Sequence, residues 1–80
     1  MNDSLAIDFT PGEGAVPRIL NLVGDHGFTL HGIRLVPTRA SDRATLRIEV
    51  GGRSQTMLKR LEEQLVSLDG IIEVIHHADV

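Results

Sequence analysis

The sequence has 80 residues, 41% hydrophobic and 24% charged, with a formal net charge of -3 and no cysteine. That length holds one small hydrophobic core and excludes a second, with no disulfide or cysteine-ligated zinc to support it. Eleven acids against eight bases exclude a global pull toward nucleic acid, two phenylalanines are too few for a base-stacking sheet, and no apolar run approaches the ~20 residues of a membrane span.

Met1 to Phe9 carries Asp3 and Asp8 and lacks the basic-then-apolar order of a signal peptide, so a soluble cytoplasmic chain is expected. Within it, Leu5, Ile7 and Phe9 alternate with Ser4, Ala6 and Asp8, the period of a strand with one buried face. Pro11, Gly12 and Gly14 break that period and make a turn. From about Gly14 to His26, Ala15, Val16, Ile19, Leu20 and Val23 recur at helical spacing. Pro17 is tolerable there only in the first turn, where N–H groups lack intrahelical partners, and Gly27 supplies a left-handed stop.

A second strand is expected over 28–36. Phe28 and Leu30 lie on one phase, Ile33 and Leu35 on the other, and an inserted residue at His31-Gly32 would put all four on one face. Pro37 ends this strand, and Thr38 to Asp42 form a polar connection. In the third strand Ala44, Leu46, Ile48 and Val50 point one way, with Arg43, Thr45, Arg47 and Glu49 opposite. Gly51-Gly52 turns the chain and Ser54 is an N-cap for a helix bearing Leu58, Leu61, Leu65 and Leu68, which Asp69-Gly70 closes. The last strand, Ile71 to about His77, is apolar on both phases: Ile71 and Ile75 against Ile72 and Val74.

The order βαββαβ, with two right-handed crossovers joined by a hairpin, predicts a four-stranded antiparallel sheet with both helices on one face. This is an α+β, ferredoxin-like sandwich, formed as a single domain over 1–80 with its core at about 4–77. The fold hosts many unrelated functions, so its residues must choose among them. Copper chaperones need a cysteine pair, and sheet-based RNA readers need exposed aromatics; neither is present. His26, His31, His76 and His77 lack a recognised ligand spacing, so no metal site is expected. Ser41 and Ser67 have no histidine partner at a recognisable spacing, and Glu62-Glu63 read as a solvated helix face, so no catalytic residue is expected.

Three features remain. The Pro11–Gly14 loop leads from a strand into a helix N-terminus, where an anion is favoured, although a plain connection has the same sequence. Arg43 and Arg47, with Arg34 across the hairpin, gather on the open sheet face; an ordinary solvated face is an equal reading. Strands two and four, the sheet edges, are apolar on more than one phase, leaving Val36, Ile71 or Ile75 unpacked. Edge-to-edge or back-to-back dimerisation is therefore expected.

Residues 5–76 resemble an ACT domain, the small amino-acid-sensing module, and more narrowly the small regulatory subunit of acetolactate (acetohydroxyacid) synthase. The resemblance rests on Gly14-Ala15-Val16-Pro17-Arg18-Ile19, Gly27-Phe28-Thr29-Leu30, Leu35-Val36-Pro37-Thr38 and Arg43-Ala44-Thr45-Leu46. It continues in Gln64-Leu65-Val66-Ser67-Leu68 and Ile72-Glu73-Val74. It implies a non-catalytic subunit that binds and activates a thiamine-diphosphate-dependent catalytic subunit in branched-chain amino acid synthesis. Thiamine diphosphate and magnesium, with FAD left open, would belong to that catalytic subunit and not to this chain.

The resemblance also implies a homodimer through strand two, with Phe28, Leu30, Ile33 and Leu35 at its edge. Valine would sit at the pair's interface against Pro11, Gly12, Gly14, Thr29 and Leu30. Arg39, Arg43 and Arg47 are the expected contacts to the catalytic subunit. Feedback-sensitive relatives have asparagine where Pro11 and Thr29 stand. Pro11 offers neither a side-chain amide nor a backbone donor. The sequence stops at Val80, without the further domain of the longer form. Both traits resemble the short, valine-insensitive isozyme type and imply weak or no valine feedback. A free-standing ACT domain that binds an amino acid and regulates another partner is the alternative.

Overall fold

Alternating hydrophobicity and two amphipathic helices produce the expected order in the computed structural model, which describes residues 2–37, 42–52 and 54–78. The elements are β1 (Asn2–Phe9), α1 (Ala15–Asp25), β2 (Thr29–Pro37), β3 (Ala44–Gly51), α2 (Gln55–Val66) and β4 (Ile71–Ala78). The sheet order is β2-β3-β1-β4, with every neighbouring pair antiparallel, so β2 and β4 are the edges. No helix of the described residues is long and apolar enough to cross a membrane. The 38–41 connection, with Arg39, lies outside the described residues.

The period-two phase of β1 and β3 decides where the core sits. Leu5, Ile7 and Phe9 face the same side as Leu46, Ile48 and Val50, and the register holds them side by side. Onto that layer α1 lays Ile19 and Val23, and α2 lays Leu58, Leu61 and Leu65, forming one cluster with Phe28. Among the described residues no polar side chain is buried. Among the described residues no helix lies on the opposite sheet face.

Local chemistry sets the helix ends. Pro17 sits in the first turn of α1, and the Arg18 N–H donates to the Gly14 carbonyl at 3.1 Å to start the ladder. For α2, the Ser54 hydroxyl accepts from the Met57 N–H at 3.3 Å. Ser54→Ala is expected to cost about 1 kcal/mol, lowering Tm by roughly 4–8 °C in a circular-dichroism melt. An unchanged Tm would deny the cap its role. At its other end α2 stops at Val66, short of Leu68: the Ser67 and Leu68 N–H groups bond the carbonyls three residues back, and Ser67 Oγ donates to the Glu63 carbonyl. The last turn tightens, and half-buried Leu68 packs on the core from outside the helix.

Both edge strands carry an irregularity, and the two have different outcomes. In β2 the register shifts between Leu30 and Gly32, so Leu30, Ile33 and Leu35 oppose Val50, Ile48 and Leu46 on one face, as the insertion requires. In β4 the shift opposite Asp8 and Phe9 makes Ile72 the extra residue. Simple alternation therefore fails for this strand. Ile71 and Val74 share the helix face and pack on the core, while Ile75 turns to the open face with Glu73 and His77. Ile71 is accordingly not an unpacked edge residue.

Candidate functional site

The β1–α1 loop is tied to the opposite connection: the Thr10 N–H donates to the Gly70 carbonyl at 2.7 Å. Gly14, the residue before α1, has φ 80°, a conformation that favours glycine, so its identity is fixed by backbone shape as well as by access. A Cβ there would lie 3.8 Å from Arg18 Nη2, which puts a guanidinium beside the loop and the helix N-terminus. Arg18 stands out only once the helix is in place, being four residues on from Gly14 and on the same face. The enclosed space beneath the loop is about 10 Å³, lined by Phe9, Thr10, Arg18 and Ile19 among others, enough for at most a water molecule. Among the described residues, that space is not ligand-sized in one chain.

Register shows why. Phe9 pairs with Ala44 and Ala44 with Pro37, so the Pro11–Gly14 loop leaves from that end of the sheet. Thr29 pairs with Gly51, and Gly51 with Asn2, at the other end. Seven residue steps of about 3.3 Å separate the two ends, roughly 20 Å. The structure therefore brings Pro11, Gly12 and Gly14 together but does not bring them to Thr29 and Leu30 within one chain. Pro11, Gly12 and Thr29 are all exposed.

Among the described residues, the β2 edge carries three of the six exposed large hydrophobic side chains. Leu30, Ile33 and Leu35 are 42%, 49% and 55% exposed although they share the face that the helices cover elsewhere. The helices end short of this edge, and the row is left uncovered. Phe28 is different: it precedes β2 and is buried in the core, so it supports the edge from inside. Arg47 projects from the open sheet face, and exposed Arg43 precedes β3.

A second depression of about 590 Å³ runs between α2 and β4, lined by Gln55, Lys59, Glu62, Val66, Val74 and His76. At its end His76 Nε2 meets Asp3 Oδ1 at 2.9 Å, and Gln55 Nε2 donates to Asp3 Oδ2 at 3.4 Å. This contact joins residues 73 apart in sequence, so only the β1–β4 register reveals it. His76 and His77 point to opposite faces, and among the described residues no group of three or more His, Cys, Asp or Glu could share a metal ion.

No protein-family model matches the sequence, and no curated protein does. Solved structures do. The C-terminal domain of the MgtC protein from Mycobacterium tuberculosis superposes with a TM-score of 0.80 at 23% identity, over 98% of this chain and 86% of that one. The ACT domain from GTP pyrophosphokinase of Chlorobium tepidum gives 0.82 at 14% identity, over 96% and 97%. The acetolactate synthase small subunit from Thermotoga maritima gives 0.82 at 20% identity over 95% of this chain. This chain spans 47% of that subunit. The fold is thus that of an ACT domain.

Proposed function

We propose, starting from the ACT-type fold, that this chain is a non-catalytic regulatory subunit. It binds and activates the thiamine-diphosphate-dependent catalytic subunit of acetolactate synthase, with weak or no valine feedback. The observation that carries the reading is the uncovered row Leu30, Ile33 and Leu35 on an unpaired sheet edge, a surface that calls for a protein partner. The likeness to an acetolactate synthase small subunit over 95% of the chain supports the choice of partner.

Two copies pairing antiparallel through β2 set the Thr29 end of one strand against the Pro37 end of the other. The Pro11–Gly14 loop leaves from that second end, so the pair assembles what a single chain holds roughly 20 Å apart. An effector would lie between copies, its carboxylate favoured by the α1 N-terminus and Arg18. Pro11 has no N–H and Thr29 only a hydroxyl, so the contact of an asparagine amide has no substitute here, and valine binds weakly. Thiamine diphosphate and magnesium sit on the catalytic subunit. Arg43 and Arg47 meet that subunit, as does Arg39.

Copurification with an acetolactate synthase catalytic subunit tests this. Acetolactate formation is expected to rise severalfold when this chain is added and to persist in millimolar valine. Absence of a complex would end the reading; valine inhibition would end its feedback clause. The alternative, an amino-acid-binding ACT domain serving another partner, is supported by the match to an ACT domain that belongs to a different enzyme, a GTP pyrophosphokinase. Calorimetry with valine, leucine and isoleucine separates the two: micromolar binding by the chain alone selects the alternative.

A further inference from the structure

The open sheet face carries a charge cluster that the β2 irregularity creates. From Gly32↔Glu49 to Pro37↔Ala44 the two strands pair one to one, and His31 is the extra residue just before. With a continuous register from Leu30↔Val50, Arg34 would oppose Leu46 on the helix face. The insertion instead sets Arg34 directly opposite Arg47 on the open face, and sets glycine, rather than a side chain, opposite Glu49.

Like charges directly opposite one another destabilise an antiparallel pair. Both arginines are exposed, and among the described residues no carboxylate lies within ion-pairing distance of either guanidinium. Beside them is a cavity of about 410 Å³ lined by Ser4, Gly32, Ile33, Arg34, Arg47 and Glu49. Gly32 brings no side chain into it, and a Cβ there would be in ordinary contact with Glu49 Oε2 at 3.5 Å. Bulges recur beside binding sites because they re-aim side chains, and this one aims a second guanidinium at the same space.

We propose that Arg34 and Arg47 form a binding site for a small oxyanion, the carboxylate or phosphate group of a ligand, with the Ser4 hydroxyl as a further donor. Two guanidinium groups match the planar lone pairs of such a group and relieve their own repulsion by sharing it. Glu49 on the rim opposes the anion, which limits the site to one negative group and excludes a second on that side. The site lies on the face turned away from both helices; it shares Arg47 with the subunit contact proposed above, but its test needs this chain alone.

Titration of the full chain at low ionic strength, followed by amide NMR shifts, tests the site with inorganic phosphate and, in a second arm, acetate. Saturating shifts are expected at Gly32, Arg34, Arg47 and Glu49, and whichever arm binds tighter identifies the source. Arg34→Gln and Arg47→Gln should each weaken binding about fivefold, while Glu49→Gln should tighten it. Without anion, Arg47→Gln should keep or raise Tm, because it removes the like-charge pair. Unsaturating shifts spread over Arg18, Lys59 and Arg60 as well, indifferent to Glu49→Gln, would overturn the proposal.

Discussion

Leu61→Ala is expected to leave the protein largely unfolded at room temperature. Leu61 is fully buried at the middle of the α2 stripe, between Leu58 and Leu65, against a sheet layer that is itself fully buried at Leu5, Ile7 and Ile48. Truncating such a leucine costs about 2–5 kcal/mol, transfer and cavity together. A core of this size supplies only about 3–5 kcal/mol, so the loss is of the same order as the whole stability. Leu61→Met, which conserves volume, should cost under about 1.5 kcal/mol and retain a cooperative melt. Val66→Ala on the same helix, at a 59% exposed position, should stay within about 0.5 kcal/mol. The three melts together separate burial from helix propensity. A Leu61→Ala protein melting within a few degrees of wild type would mean the helix layer is not what holds the sheet.

That stripe was legible because helical and strand periods differ, and every core position of β1, β3 and the two helices stands in its period. Edges were harder to read. In β2 the clash of phases between Leu30 and Ile33 signalled an insertion, since a glycine marked its place. In β4 the insertion at Ile72 falls among apolar residues with no glycine or proline, so nothing in the sequence separates Ile71 with Val74 from Ile71 with Ile75. Site geometry was legible in part only. That a loop after β1 precedes a helix N-terminus follows from order, but that Thr29 lies at the far end of the sheet follows from register, which pairs residues more than twenty apart. The Asp3–His76 contact and the Arg34–Arg47 pair are products of register too. For the same reason the edge row could be seen as apolar without being seen as uncovered: exposure depends on where the helices stop.

Lysine at both Ile33 and Leu35 is expected to convert a dimer into a monomer without unfolding it. The two side chains are about half exposed, so in a single chain they contribute little and a polar replacement is tolerated. Paired across a two-fold axis, the row is buried twice. Two residues from each copy, each hiding the apolar half it now exposes, are worth roughly 3–4 kcal/mol, about a hundredfold or more in Kd, before the repulsion between lysines is added. Lysine on an edge strand is also the device by which sheets refuse further pairing. The other edge is a poorer candidate, because β4 is distorted at Ile72 and carries Glu73, His76 and His77 beyond it. Sedimentation velocity at micromolar concentration should show a dimer for wild type and a monomer for the double variant, with Tm differing by only a few degrees. Under the proposed function, activation of the synthase should fall with dimerisation. A wild-type chain that sediments as a monomer at every concentration tested would overturn the proposed β2 interface, and the proposed inter-copy effector site with it.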